Sequence, residues 1–297
     1  MKKNTQEKLI TNTIRVAGSS SIVFILLIFF FLMREGLPAL GEVSFKDLLS
    51  TRWYPIEGLF GILPLLSGSL IVTVFSILIA LPLGVGTAIY LGEIAPRRVN
   101  EILKPTIEIL AGIPSVVLGF IGILVLSPFM RQTFNLPTGL TAFTGAFLLA
   151  LISIPTIVSI AEDALYAVPD TYRDAAYALG ASKWQVIWGV VLPAARTGIL
   201  MAVMLGVGRS LGETMAVMMV TGNAPTMFTG LNSFISPIRT MTATIASEMG
   251  EVASGSTHYH VLFFIGIILF VFSLIINVSS STSLKKRSAK SRAQVVS

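Results

Sequence analysis

Two ionisable residues stand four apart inside an apolar run. They are Arg209 and Glu213, in "TGILMAVMLGVGRSLGETMAVMMV" at 197–220. Read as one helix, this spacing puts both on the same face. A lone charge at mid-membrane costs about 2.5–3.5 kcal/mol on insertion scales, so the two should face a bundle interior or a watery path rather than lipid. A guanidinium matches an oxyanion because its N–H groups form a planar fork. Glu213 would then moderate the hold of Arg209 on an anion. A structural Arg–Glu pair that only sets helix packing is the other reading. Gly208 and Gly212 form a G-x-x-x-G that would let another helix approach closely. A third polar position is Ser115 in "GIPSVVLGFIG" (112–122), where Pro114 and Gly112 could open the backbone and the hydroxyl could donate. An ordinary packing kink also fits.

A different kind of site is written in "DAAYALGASKWQVIWGVVLPAA" at 174–195. Thr171 and Asp174 have capping-box spacing, and Tyr172, Ala175, Ala176 and Leu179 follow on one helical face. Gly180 stands where a helix ends on a left-handed residue. Ser182 and Gln185 form a second capping box, Trp184, Ile187, Trp188 and Val191 a second face, and Pro193 closes the segment. The expectation is two short helices around a glycine corner, with Ala175, Ala176 and Gly180 as a contact face for a partner. A helix lying on the membrane, anchored by the two tryptophans, is the alternative.

The elements that position these residues are membrane spans. Of 297 residues 54% are apolar and 12% charged, half the usual charge of a soluble chain, and mean hydropathy is +0.82. Six spans are predicted, at roughly 16–33, 62–91, 105–129, 138–161, 197–220 and 260–278. The fold class is an all-α integral membrane protein. Residues 1–15 form a cytoplasmic segment, 16–280 the six-span domain with its loop at 162–196, and 281–297 a basic, disordered tail. The first run follows Lys2, Lys3 and Lys8 as a signal peptide would, but no clear cleavage pattern follows it, which predicts a retained anchor. With the N-terminus inside, 15 basic residues fall on the inner side and 5 (Arg34, Lys46, Arg52, Arg131 and Arg239) on the outer. This asymmetry predicts both termini in the cytoplasm. The net charge of +6 then needs no nucleic acid. There is no cysteine, which excludes thiolate chemistry. His258 and His260 are expected to be exposed interfacial residues rather than metal ligands.

The loop carries a resemblance. An acid, two alanines, a glycine four residues on, and an aliphatic before Leu-Pro fall on Asp174, Ala175, Ala176, Gly180, Val190, Leu192 and Pro193. That pattern resembles the motif of permease subunits of bacterial ABC importers, with Asp for the usual Glu and Val for the usual Ile. "GIPSVVLGF" and "GRSLGETMAVMMVTGN" are similar to the phosphate-specific branch, its C-type permease more than its A-type. The resemblance implies a type I (MetI-like) six-helix architecture and a coupling helix that docks on an ATPase. It further implies a homodimer of ATPases, a second permease completing a heterodimer, an external phosphate-binding protein, and a bacterial or archaeal cytoplasmic membrane. The family's intramembrane Arg and Glu fall on Arg209 and Glu213. Gly-Lys occurs nowhere, so no Walker A loop is present. ATP and Mg2+ would be used by the partner, with no cofactor on this chain.

Overall fold

The computed structural model describes the backbone of residues 2–296 and the side chains of 10–230 and 233–278. Six helical segments are long and apolar enough to cross a membrane: Ile10–Glu42, Leu63–Ile94, Ser115–Thr133, Ala142–Tyr166, Lys183–Gly212 and Thr257–Val278.

The first helix, α1 (Lys2–Gly36), leads into two short turns, α2 (Ala39–Glu42) and α3 (Phe45–Leu48). A two-stranded hairpin follows, β1 (Trp53–Tyr54) and β2 (Leu59–Phe60), with Trp53 opposite Phe60. The segment at 34–61 is therefore folded. Ala39, Leu48, Trp53 and Phe60 pack with Met241, Val261, Leu262 and Ile265 into a core that caps one end of the bundle, called here the far end.

From the far end, α4 (Leu63–Ile89) runs as one helix through Pro82 and widens into a π turn at Tyr90–Ile94. Next comes α5 (Arg97–Gly112). The third predicted span, 105–129, is not one helix. Pro114 lacks an N–H, and the residue before a proline is driven out of the helical region. Ile113 is accordingly extended, and the chain restarts as α6 (Ser115–Ile121), a π turn, and α7 (Ser127–Thr133). The charges of α5 (Arg97, Glu101, Lys104 and Glu108) recur at 4, 3 and 4 residues and share a face. Ile102, Ile109 and Leu110 of the same helix are exposed.

The most enclosed helix is α8 (Ala142–Tyr166), which Thr141 caps by accepting from the Thr144 N–H. It returns from the far end between α4 and α11. Glycines set these approaches: a Cβ on Gly84 of α4 would lie 2.8 Å from Ile157 Cγ2, and one on Gly206 of α11 2.7 Å from Ile157 Cγ1. Ile157 fills the space that both glycines vacate.

After α8 come α9 (Asp170–Ala178) and α10 (Lys183–Val186). Pro193 does not close this segment. A π turn at Ile187–Val191 precedes α11 (Leu192–Gly212), so one helix runs from Lys183 to Gly212. The wide turn carries the Leu192 N–H to Ile187 O and absorbs the bond that Pro193 cannot make. The fifth span thus begins about fourteen residues before the predicted 197.

The chain ends with α12 (Met215–Val220), α13 (Met241–Glu248) and α14 (Thr257–Val296). The segment "SPIRTMTATIASEMGE" at 236–251 contains α13. The predicted disordered tail instead continues the backbone of α14 to Val296. α14 lies antiparallel to α1 through Phe29–Phe270 and Phe31–Phe263, whose ring centroids are 5.2 and 5.5 Å apart. The first span thereby lies along α14, with most of its apolar side chains exposed.

Candidate translocation and docking sites

Hydroxyls buried among apolar helices must find partners within the protein. Ser210 of α11 meets Ser153 of α8 at 2.8 Å and Ser76 of α4 at 3.3 Å, and all three are buried. This contact ties the three central helices together halfway along α8. One residue earlier, half-buried Arg209 donates from Nη1 to Thr156 Oγ1 at 3.0 Å. Thr156 lies one turn from Ser153, so one face of α8 supplies both partners.

Arg209 and Glu213 do not share a helix. α11 stops at Gly212, and Glu213 is extended, with φ −69° and ψ 129°. Glycine is a poor helix former, and Thr214 Oγ1 donates to Gly212 O at 3.2 Å, which stabilises the break. Glu213 Oε1 accepts from the Ala216 N–H at 3.4 Å, and its carbonyl accepts from Thr242 Oγ1 at 3.1 Å. The carboxylate therefore serves the start of α12. Among the described residues Arg209 makes no ion pair, so the alternative reading of a structural Arg–Glu pair finds no contact within them. Glu213 instead lines a narrow seam whose hydroxyls come from Ser69, Thr73, Ser210, Thr240 and Thr242 and whose apolar wall comes from Val72, Leu149, Leu211 and Val217.

Ser115, at the first turn of α6, is half-buried and has no hydrogen bond among the described residues. A Cβ on Gly119 would meet Ala216 Cα at 2.9 Å, and one on Gly122 would meet Val220 Cγ1 at 2.6 Å. These contacts advance in the same direction, so α6 and α12 run parallel. Irregular backbone at this depth is tolerated only inside protein or along a cavity. The G-x-x-x-G also differs from expectation: among the described residues nothing lies within 4 Å of a Cβ on Gly208 or Gly212.

At the other end of the bundle, α9 and α10 form the glycine corner. Gly180 has φ +81°, and Ser182 with Gln185 makes the complete capping box. The first box is absent: α9 begins at Asp170 behind Pro169, and Thr171 lies within it. Asp174, Ala175 and Gly180 are exposed, as are Tyr172 and Leu179, the latter 90% accessible. Ala176, expected on the contact face, turns partly inward onto the core beneath α8 and α11. Leu192 packs on that core too, while Pro193 is exposed. Trp184 and Trp188 are exposed and so do not hold α10 against the bundle.

A family model described as "Binding-protein-dependent transport system inner membrane component" matches residues 80–286. The chain belongs to this family. It is a membrane permease component, not an enzyme. It is 40% identical over 237 residues to "Probable ABC transporter permease protein YqgH" of Bacillus subtilis, covering 79% of this chain and 76% of that one. It is 38% identical over 257 residues to "Phosphate transport system permease protein PstC" of Mesorhizobium japonicum, covering 80% and 77%. Two solved structures share the fold. A chain of the inward-facing MetNI methionine ABC transporter has TM-score 0.56 and 21% identity, covering 76% of this chain and 94% of that one. A chain of a bacterial alginate ABC transporter has TM-score 0.60 and 14% identity, covering 90% and 92%.

Several polar groups of the permease have no local signal in the sequence. Arg173 staples α9 to the bundle, reaching Glu93 Oε1 at 2.6 Å, Val168 O at 2.6 Å and Leu165 O at 3.0 Å. The bond from Glu93 raises the pKa of the guanidinium above its ordinary value. Removing one partner of a largely buried pair costs on the order of 3 kcal/mol. Arg173→Ala is accordingly expected to lower the melting temperature of the purified permease and to expose α9 to limited proteolysis. An unchanged melting temperature would show that α9 is held by apolar packing alone. At the far end Glu248 gathers Arg239, Trp53 Nε1 (3.2 Å) and His258 Nε2 (2.8 Å). His260 Nδ1 meets Glu42 Oε1 at 2.8 Å. Both histidines are half-buried rather than exposed, and they turn to different glutamates.

Proposed function

We propose that this permease forms half of the transmembrane pathway of an ATP-driven phosphate importer. The chain-level observation that carries the reading is Arg209: a guanidinium halfway along the bundle, bonded to a hydroxyl and, among the described residues, to no carboxylate. Such a group keeps N–H donors and a full positive charge for a passing oxyanion. Phosphate enters through the name of the PstC relative. In this reading Arg209 and Glu213 line the path with Ser115 beside them, and Glu213 tunes the path through the start of α12 rather than by pairing with Arg209.

The exposed residues Asp174, Ala175 and Gly180 dock on an ATPase homodimer, with Ala176, Leu192 and Pro193 shaping the support beneath them. ATP and Mg2+ are used on that partner. A PstA-like second permease completes the heterodimer and covers Gly208 and Gly212. An extracytoplasmic phosphate-binding protein delivers substrate at the far end. The basic residues favour a bacterial or archaeal cytoplasmic membrane with both termini inside, which puts α9 in the cytoplasm. Residues 1–15 then form a cytoplasmic segment, 16–280 the permease domain and 281–297 a basic cytoplasmic tail.

Uptake of labelled phosphate by cells carrying the complete transporter tests the substrate. Unlabelled phosphate and arsenate are expected to compete, and sulfate and methylphosphonate to compete poorly. Stronger competition by either of the latter pair would reassign the substrate to another oxyanion or a phosphonate.

A further inference from the structure

The π turn that ends α4, the charged face of α5 and the end of α8 enclose a cleft of about 730 Å³. It adjoins α9, because Glu93 in its wall is the residue that holds Arg173. Four carboxylates line it (Glu93, Glu101, Glu108 and Glu162) against two cations, Arg97 and Lys104. Neither cation is free. Arg97 is taken by Glu101 at 2.9 Å, and Lys104 Nζ divides between Glu162 Oε2 at 3.4 Å and Asp163 Oδ1 at 3.8 Å. Glu108, exposed one turn beyond Lys104, has no ion pair among the described residues.

Two acceptors in this lining lack donors. Glu162 is only 1% exposed, and its Oε1 is buried with no hydrogen bond among the described residues. Asn100 Oδ1 is in the same condition. The Asn100 amide nitrogen already donates to Tyr166 Oη at 2.8 Å and Leu91 O at 3.4 Å, so its oxygen is left as an acceptor. The two residues sit on facing turns: Asn100 meets Tyr166 of α8, and Lys104, one turn on, meets Glu162, one turn back. Buried acceptors of this kind, one of them on a carboxylate, are costly until a donor reaches them. The group they call for is cationic and carries several N–H donors, set apart enough to serve two turns. A guanidinium meets these conditions. Among the described residues no three metal-ligating side chains are grouped as a metal ion would need.

We propose that a basic side chain of the ATPase, an arginine by its fork of donors, enters this cleft and binds Glu162 and Asn100. Lys104, which already spans two carboxylates, passes to Asp163 and Glu108 as the newcomer takes Glu162. The proposal rests on α9 as the ATPase dock and adds a second, charge-specific contact beside it. Through that contact the ends of α5 and α8 follow the partner as well as α9.

The test measures ATPase binding by the complete permease in nanodiscs, at rising KCl, beside the melting temperature of the permease alone. Glu162→Gln is expected to weaken binding about tenfold, the size of losing one hydrogen bond to a charged group, and to flatten its salt dependence. The melting temperature without ATPase should not fall, since the variant removes a stranded charge. Glu108→Lys, at an exposed position, should weaken binding by repelling the incoming cation. Exchanging ATPase arginines and lysines for glutamate one at a time should find a position that weakens binding to the wild type and is rescued by Glu108→Lys. Failure to find one would overturn the proposal. So would a fall in melting temperature that accounts for the loss of binding in Glu162→Gln, which would make the residue structural. If MgCl2 or KCl alone stabilised the wild type but not Glu162→Gln, the cleft would hold an inorganic ion instead. Unchanged binding in Glu162→Gln and Glu108→Lys, with binding lost in Leu179→Asp, would sink this contact and leave the α9 dock standing. Unchanged binding in all three would remove both.

Discussion

Arg209→Gln is expected to reduce phosphate uptake about ten- to hundredfold, the range for losing one charge-assisted hydrogen bond, while the transporter still assembles. Among the described residues its hydrogen bond is to the Thr156 hydroxyl, so a neutral side chain of similar length can keep that contact and the packing around it. Arg209→Lys should lie between, because it restores the charge without the fork. Glu213→Gln adds a sharper test. An Arg–Glu pair on one helix would make the two substitutions strongly non-additive, since either alone strands a charge. Glu213 here caps the start of α12 instead, so the losses of the two single variants should multiply in the double variant. Labelled uptake with parallel co-purification of the ATPase checks both points. Normal uptake in Arg209→Gln would remove this residue from the path, and loss of assembly would return it to a packing role.

On the exposed face of α9, Leu179→Asp and Ala175→Trp are expected to leave the permease folded and to abolish its capture of the ATPase. Leu179 is 90% accessible and Ala175 is exposed, so changes there should shift stability by about 0.5 kcal/mol or less. With exposed Tyr172 and Ala175 on the same side of α9, Leu179 makes an apolar patch of the kind that marks an interaction site. Truncating or charging a central contact of that kind typically costs about 2 kcal/mol or more of binding, near thirtyfold. Gly180→Val acts differently. With φ at +81° a β-branched residue is strained, by about 1–3 kcal/mol, and the corner should open. Gly180→Asn, which tolerates that region, should retain capture. Ala176→Trp serves as the contrast: it meets the core, so it should reduce the amount of folded permease as well. Co-purification and thermal stability, measured side by side, separate the two kinds of effect. Undiminished capture in both Leu179→Asp and Ala175→Trp would move the docking surface elsewhere.

What the sequence determined by itself is local. Apolar runs long enough to cross a bilayer mark six spans, and the left-handed Gly180 and the Ser182–Gln185 box are legible because their partners lie within four residues. The same local reading fails where two local preferences compete. Four-residue spacing suggested a shared face for Arg209 and Glu213, but Gly212 and the Thr214 hydroxyl end the helix between them. Pro193 read as a stop, yet a π turn carries the helix past it.

Only the tertiary structure decided which surfaces meet. It turned Ala176 inward while leaving Ala175 out, joined Ser76, Ser153 and Ser210 from three helices, and packed Gly119 of α6 against Ala216 of α12. It also buried Glu162 with one oxygen unpartnered. The physical reason is that a capping bond or a hydrophobic period acts over one turn of chain. A hydroxyl or carboxylate in the membrane interior is satisfied by whichever helix packing brings to it, here 53 to 134 residues away for the Arg209 and Ser210 contacts.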